Sequence, residues 1–120
     1  MTTETRIEDW DAYSAGLRDR GRELKELHPE LMKGFGALSR GATTTQRLDA
    51  KTRELIAIAV AVTTRCQGCI DAHARKAKTA GASREEIAEA LGVAIAVNAG
   101  AALTYSLHVL DAVAGTGEPA

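Results

Sequence analysis

Residues that start and stop helices divide this chain into helix-length pieces. Proline occurs only at positions 29 and 119, so few positions exclude a helix outright. His28-Pro29 predicts one boundary, because the residue before a proline is pushed out of the helical region. Asp49 is a good N-cap, and Ser83 with Glu86 forms a capping box, so further helices are predicted to begin at both points. The sequence therefore predicts an all-α fold, a compact helical bundle of about six helices.

Apolar spacing and the intervening polar residues place these helices. We expect helices over residues 7–27, 29–38, 49–63, 66–80 and 83–97, and a last one that carries Leu103 to Val113 after a break at 98–100. Gly41 to Thr45 reads as a loop, and Gly81 is a natural C-cap. The wholly apolar segment 55–62 follows a charged lead-in, which favours a buried helix over a strand. Residues 1–120 are expected to form one domain, with 116–120 frayed.

The charge balance excludes several classes of partner. Fifteen basic and sixteen acidic residues give a net charge of -1, with no basic face for nucleic acid and no basic amphipathic stretch for a membrane surface. The longest uninterrupted apolar run, 55–62, is too short to span a bilayer. The polar, acidic N-terminus lacks the features of a signal peptide, so a cytoplasmic protein is expected.

The two cysteines, Cys66 and Cys69, stand three residues apart, and His73 follows. A disulfide across so short a loop stabilises a fold little, so without an export signal the pair indicates a redox or metal site. On a helix the three side chains lie on one stripe, and a thiolate there is favoured by the helix N-terminus and by the histidine. The dipole acts most on Cys66, whereas His73 is at i+4 from Cys69. This spacing favours Cys69 as nucleophile and Cys66 as its resolving partner.

Glu54 is the next candidate for the site. It shares a helical stripe with Ile58 and Ala61, so its carboxylate is expected to point inward, where it would need a partner such as His73. Glu54 would then orient His73 as His73 activates the thiol. A solvated Glu54 paired with Lys51 or Arg53 is the other interpretation, and the residues alone leave both open.

Glu54, an eleven-residue gap, and then Cys66-x-x-Cys69-x-x-x-His73 resemble the signature of the carboxymuconolactone decarboxylase superfamily, in its alkyl hydroperoxidase D branch. The segment 53–60 is also similar, and the resemblance spans about residues 25–115, sharpest between 49 and 73. One departure is Gly68, where well-known alkyl hydroperoxidase D proteins, which are also longer, carry a further histidine.

The resemblance implies an all-helical fold that assembles as trimers or hexamers, without a metal or other cofactor. By it, the function is a thiol-dependent peroxidase that reduces peroxides through Cys69 and Cys66, with a proton relay of His73 and Glu54. A peroxide would oxidise Cys69 to the sulfenic acid, and Cys66 would close the disulfide. The partners would be a small peroxide substrate and an external dithiol reductant or redox protein.

Three other functions compete with the peroxidase. A zinc site would use the two thiols and His73, with Glu54 or His28 as the fourth ligand, but the second ligand pair of structural zinc sites is absent. A lactone decarboxylase of the same superfamily would not rely on the cysteine pair. A non-enzymatic, redox-sensing helical oligomer would use the same thiols.

Other polar residues are expected to have structural roles. His28 reads as a turn residue, His108 as a core or interface histidine, and Asp71 as a solvated residue of a first helical turn. The alanine-rich second half, 88–113, holds more apolar surface than a lone chain of this size hides easily. A homo-oligomer is therefore predicted.

Overall fold

The computed structural model describes residues 5–117, which form five α-helices and contain no strand. The predicted all-α class is confirmed. The helices are α1 (Trp10–Leu27), α2 (Pro29–Gly41), α3 (Ala50–Thr63), α4 (Gln67–Thr79) and α5 (Arg84–Gly115). Of the tail expected to fray, residues 118–120 lie outside the described part of the chain.

The caps explain most of the helix boundaries. The Asp49 carboxylate accepts a hydrogen bond from the Thr52 backbone at 2.8 Å, and Ser83 and Glu86 form the predicted capping box. Gly81 ends α4 with φ at 86°, a left-handed conformation that glycine adopts without a steric penalty. The first helix begins three residues later than expected, because Asp9 is its N-cap.

The predicted break at 98–100 is wrong, since α5 runs without interruption for 32 residues. Asn98 does not divert the backbone: its side-chain amide donates to the Ala94 carbonyl oxygen at 2.8 Å, one turn back within the helix. Two expected helices are therefore one, and the helix count is five instead of about six.

Small side chains let α3 pack closely against both α4 and the first half of α5. The buried apolar residues are Ile58 and Ala61 on α3, Ala77 on α4 and Ala94 on α5. Lys51 and Glu86 add an ion pair of 2.8 Å between the N-terminal ends of α3 and α5. The α3–α4 pair, the most extensively packed in the chain, carries the candidate site, while α1 packs on α2 and α4.

The single chain is more open than the compact bundle that the sequence predicted. Its radius of gyration is 19.8 Å, against about 14 Å for a compact domain of this length. No large side chain in residues 5–117 is fully buried. Many large apolar side chains of α2 and α5, including Phe35, Leu103 and Leu110, are more than half exposed. The compactness prediction failed because these helices place little of their apolar surface against the rest of the chain.

Judged by length and composition only, α5 is long and apolar enough to cross a membrane. Its most apolar 18-residue window has a mean hydropathy of 1.6, and only 6% of that window is buried. The apolar run 55–62, which is too short to span a bilayer, lies in α3 and is separate from this helix. Length and hydropathy alone do not separate a membrane span from a helix that packs in an assembly of soluble chains.

Candidate active site

The two cysteines lie at the turn between α3 and α4 and are joined by a disulfide. The turn is made by Arg65, whose backbone is left-handed with φ at 55°. Cys66 follows as the N-cap of α4, and its Sγ accepts a hydrogen bond from the Cys69 backbone N–H at 3.2 Å. One sulfur is therefore held directly at the N-terminus of α4, where the helix dipole favours negative charge.

His73 and Glu54 meet across the α3–α4 contact. The distance from His73 Nδ1 to Glu54 Oε2 is 2.7 Å, and the two side chains are 31% and 18% exposed. Because a carboxylate only accepts, Nδ1 carries the hydrogen of this bond. The inward orientation of Glu54 is thus the one that the structure has. Lys51, which the other interpretation offered as its partner, pairs with Glu86.

The bond to Glu54 sets which nitrogen of His73 is available for proton transfer. With Nδ1 donating to the carboxylate, Nε2 has the free lone pair. His73 lies one helical turn beyond Cys69, but no hydrogen bond joins its ring to either sulfur among the residues that the structure describes. In the disulfide neither sulfur carries a proton that the ring could accept.

Asp71 is not in solvent, and this expectation from the sequence is wrong. Its side chain is 7% exposed and accepts from Arg75 Nε at 3.0 Å. Arg75 also donates to the Trp10 carbonyl oxygen and to Asp11 of α1. These bonds, with Asp71 first and Asp11 second, raise the pKa of Arg75, which stays cationic. The i, i+4 spacing of the pair was the signal in the sequence, but the contact with α1 depends on the fold.

The remaining histidines lie away from the cysteines. His28 forms the junction between α1 and α2, as predicted for a turn residue. His108 is exposed on α5 and packs against Tyr105, with ring centroids 5.0 Å apart. It is therefore not a core residue of the single chain. Within residues 5–117 no three histidine, cysteine or acidic side chains are grouped so that they could hold a metal ion.

Comparison with known proteins identifies the kind of chain that carries this site. The sequence model of the carboxymuconolactone decarboxylase family matches residues 29–112. That span includes Glu54, both cysteines and His73, and it begins after α1.

Two bacterial proteins are similar in sequence to this chain. An uncharacterized protein of Haemophilus influenzae is 52% identical over 87% of this chain and 92% of its own length. A protein of Paracoccus denitrificans, described as uncharacterized protein 4 in the cox locus, is 43% identical over 68% of this chain and 76% of its own.

A solved structure supports the architecture. The crystal structure of a carboxymuconolactone decarboxylase family protein from Legionella pneumophila, in its apo form, aligns with a TM-score of 0.70 and 35% sequence identity. The alignment covers 91% of this chain and 97% of that one.

Proposed function

The chain belongs to the carboxymuconolactone decarboxylase family, and on this basis we propose that it is a thiol-dependent peroxidase with Cys66 and Cys69 as its redox pair. The observation that carries the proposal is the pairing of His73 with Glu54 at 2.7 Å, one helical turn from a cysteine of a formed disulfide. A nucleophile, a base and a group that orients the base are the parts of an activated-nucleophile site.

The cycle begins with the reduced pair. His73 accepts the proton of Cys69 at Nε2 while its Nδ1–H remains bonded to Glu54. The Cys69 thiolate attacks one peroxide oxygen, the O–O bond breaks, and the other oxygen leaves as an alcohol or water after taking up a proton. Cys69 is then a sulfenic acid, oxidised by two electrons.

The second half of the cycle restores the thiols. The sulfur of Cys66 attacks the sulfur of the sulfenic acid, water leaves, and the disulfide forms. An external dithiol reductant or redox protein then reduces this disulfide by thiol–disulfide exchange and is itself oxidised. The disulfide is half-buried, so part of the pair is open to a small thiol.

The assignment of the two sulfurs can be tested with two variants. In Cys66→Ser the serine can replace the sulfur as N-cap of α4, since serine is a preferred N-cap residue. We expect this variant to react once with peroxide and to hold a sulfenic acid that dimedone traps. We expect Cys69→Ser to consume no peroxide with dithiothreitol as the reductant.

Three other outcomes would contradict the proposal or its assignment of the two sulfurs. If Cys66→Ser loses thiolate reactivity and Cys69→Ser retains it, the two roles are reversed. If the wild-type protein does not consume peroxide yet forms its disulfide in mild oxidant, a redox-sensing role is favoured. If a lactone substrate is decarboxylated and both Cys→Ser variants keep that activity, the family's lactone chemistry is favoured.

The same proposal includes a homo-oligomer, trimer or hexamer, in the cytoplasm. The exposed apolar surface of α2 and α5 supports the formation of an oligomer, as does a radius of gyration far above that of a compact monomer. Neighbouring copies of the chain would cover this surface.

A further inference from the structure

The helix α1 precedes the residues that the family model matches, yet it is fixed to the helix that carries the cysteines. Arg75 on α4 donates to the Trp10 carbonyl oxygen at 3.0 Å and to the Asp11 carboxylate at 3.1 Å. Gln67, also on α4, donates to Glu8 at 3.1 Å. These contacts hold the N-terminal end of α1 against α4.

Gly68, which stands between the two cysteines in the sequence, lies close to α1. A Cβ atom at this position would lie 3.3 Å from Leu17 Cδ1 and 3.8 Å from the Tyr13 hydroxyl oxygen. Because Gly68 has no side chain, Leu17 can pack directly against this position. Gly68 immediately precedes Cys69 in the short loop that the disulfide closes, so the Tyr13 hydroxyl lies near that loop.

The Tyr13 side chain is held in place, but its hydroxyl is uncommitted. The residue is half-buried, and its ring makes an edge-on contact with Trp10 at a centroid distance of 5.8 Å. No residue within the described range 5–117 forms a hydrogen bond with the hydroxyl. A phenol hydroxyl can donate one hydrogen bond.

The geometry points to Tyr13 as a further residue of the thiol site, whose hydroxyl donates a hydrogen bond to the Cys69 sulfur in the reduced state. A hydrogen bond to the charged form of an acid stabilises that form, so the bond would increase the thiolate fraction of Cys69. No covalent bond changes in this step, and the proton stays on Tyr13. The inference rests on the proposed function in taking Cys69 as the attacking sulfur.

Arg75 is then a positioning residue, which acts by holding the end of α1 that carries Tyr13. Other charged or titratable groups lie on the elements around the same turn, and all of them are unchanged between the parent and Tyr13→Phe. They are Arg65 in the turn itself, Glu54 on α3, Asp71 and His73 on α4, Asp11 on α1, and Glu8 before it.

The test measures the thiol itself in a Cys66→Ser background. The rate of alkylation of Cys69 by iodoacetamide is recorded from pH 5 to pH 10, with and without Tyr13→Phe. We expect Tyr13→Phe to move the midpoint of this profile to higher pH and to slow alkylation at pH 7 by roughly three- to tenfold. Tyr105→Phe is the matched control, because it removes the chain's other phenol hydroxyl from an exposed position on α5.

A Tyr13→Phe profile that coincides with the Tyr105→Phe profile overturns the inference. Circular dichroism checks that both variants keep the helix content of the parent. Arg75→Ala provides a second measurement: it should shift the profile in the same direction, but add nothing when combined with Tyr13→Phe. An equal shift by Arg75→Ala in the presence and absence of the Tyr13 hydroxyl contradicts its positioning role, while Arg75→Lys should restore part of the effect.

This assay contains no peroxide, so it separates the two proposals. If the protein does not consume peroxide but Tyr13→Phe shifts the alkylation profile, the peroxidase proposal is wrong and the hydrogen bond from Tyr13 is supported. If the protein consumes peroxide but Tyr13→Phe does not shift the profile, the peroxidase proposal is supported and the hydrogen bond is disproved.

Discussion

His73 connects the two helices that make the site. Its ring is carried by α4 and bonds through Nδ1 to Glu54 on α3, which leaves the other ring nitrogen, Nε2, available. The 2.7 Å bond fixes the ring and leaves Nε2 as the acceptor. An imidazole that has taken the thiol proton becomes a cation beside the thiolate that it has generated. The positive charge of the imidazolium stabilises the negative charge of the thiolate.

Replacing His73 with alanine should therefore move the alkylation profile of Cys69 to higher pH and slow alkylation at pH 7 by roughly tenfold. The thiolate fraction at pH 7 would fall, and both alkylation and peroxide attack would slow. The measurement is the pH profile of iodoacetamide alkylation in the Cys66→Ser background. His108→Ala serves as the control, since that histidine lies on α5 among exposed residues. An unshifted profile in His73→Ala would remove His73 from the mechanism.

One ion pair joins the N-terminal ends of α3 and α5. Glu86 receives hydrogen bonds from Lys51 and from the Ser83 backbone N–H. The Lys51 bond, the largest cause, and the Ser83 bond lower the pKa of Glu86 from 4.5 to about 2. One carboxylate therefore serves as both the capping-box residue of α5 and the partner of α3.

This pKa predicts how stability depends on pH. A carboxyl group with a depressed pKa in the folded state stabilises it fully above its unfolded value of 4.5, and the contribution is lost as the pH falls towards about 2. Glu86→Gln should therefore lower the melting temperature at pH 7, with the difference from wild type shrinking between pH 4.5 and pH 2. Thermal unfolding followed by circular dichroism measures this.

Glu85→Gln is the matched control for this prediction. It removes the same charge from the same first turn of α5 but does not break the pair with Lys51. A difference between Glu86→Gln and wild type that stays constant from pH 7 to pH 3 would show that the ion pair does not contribute as described.

The whole chain exposes more apolar surface than one molecule in water usually does. The second half of α5 carries large apolar residues around its circumference, and α2 adds Leu31, Phe35 and Leu38 on one face. Among residues 5–117, the buried apolar side chains are three alanines and Ile58. We therefore propose that copies of the same chain cover this surface.

We expect the purified protein to be an oligomer at micromolar concentration, with a mass by light scattering that is a multiple of 12.6 kDa. Replacing Leu103 and Leu107 with lysine should lower this mass, because two charges would have to be buried between copies. Both residues lie beyond the part of α5 in which Ala94 is buried. Thr45→Lys, in the exposed α2–α3 connection, should leave the mass unchanged.

Two outcomes contradict the oligomer. A wild-type mass of 12.6 kDa would mean that the exposed helices need no second copy. Recovery of the protein only in detergent would instead favour a membrane as the cover of α5, which passes the length and hydropathy criterion for a span.

Local sequence determined which segments are helical and where most of them end. Asp49, Ser83 with Glu86, Gly81 and the His28-Pro29 step each act within a few residues, so their effect does not depend on the rest of the fold. The exception was Asn98, whose side chain satisfied its hydrogen bond within the helix and left α5 unbroken. The stripe of Cys66, Cys69 and His73 was equally a local property, because a single helix fixes it.

Only the tertiary structure decided which groups from other helices complete the site. From the sequence, Glu54 had equal reason to face His73 or solvent, and the α3–α4 packing placed its carboxylate on the imidazole. Asp71 was expected in water and is buried beside Arg75, since α1 lies across that end of α4. The approach of Tyr13 to Gly68 joins residues 55 positions apart, and no spacing rule within one helix encodes it. Helix periodicity fixes neighbours along an element, whereas contacts between elements depend on how all of them pack.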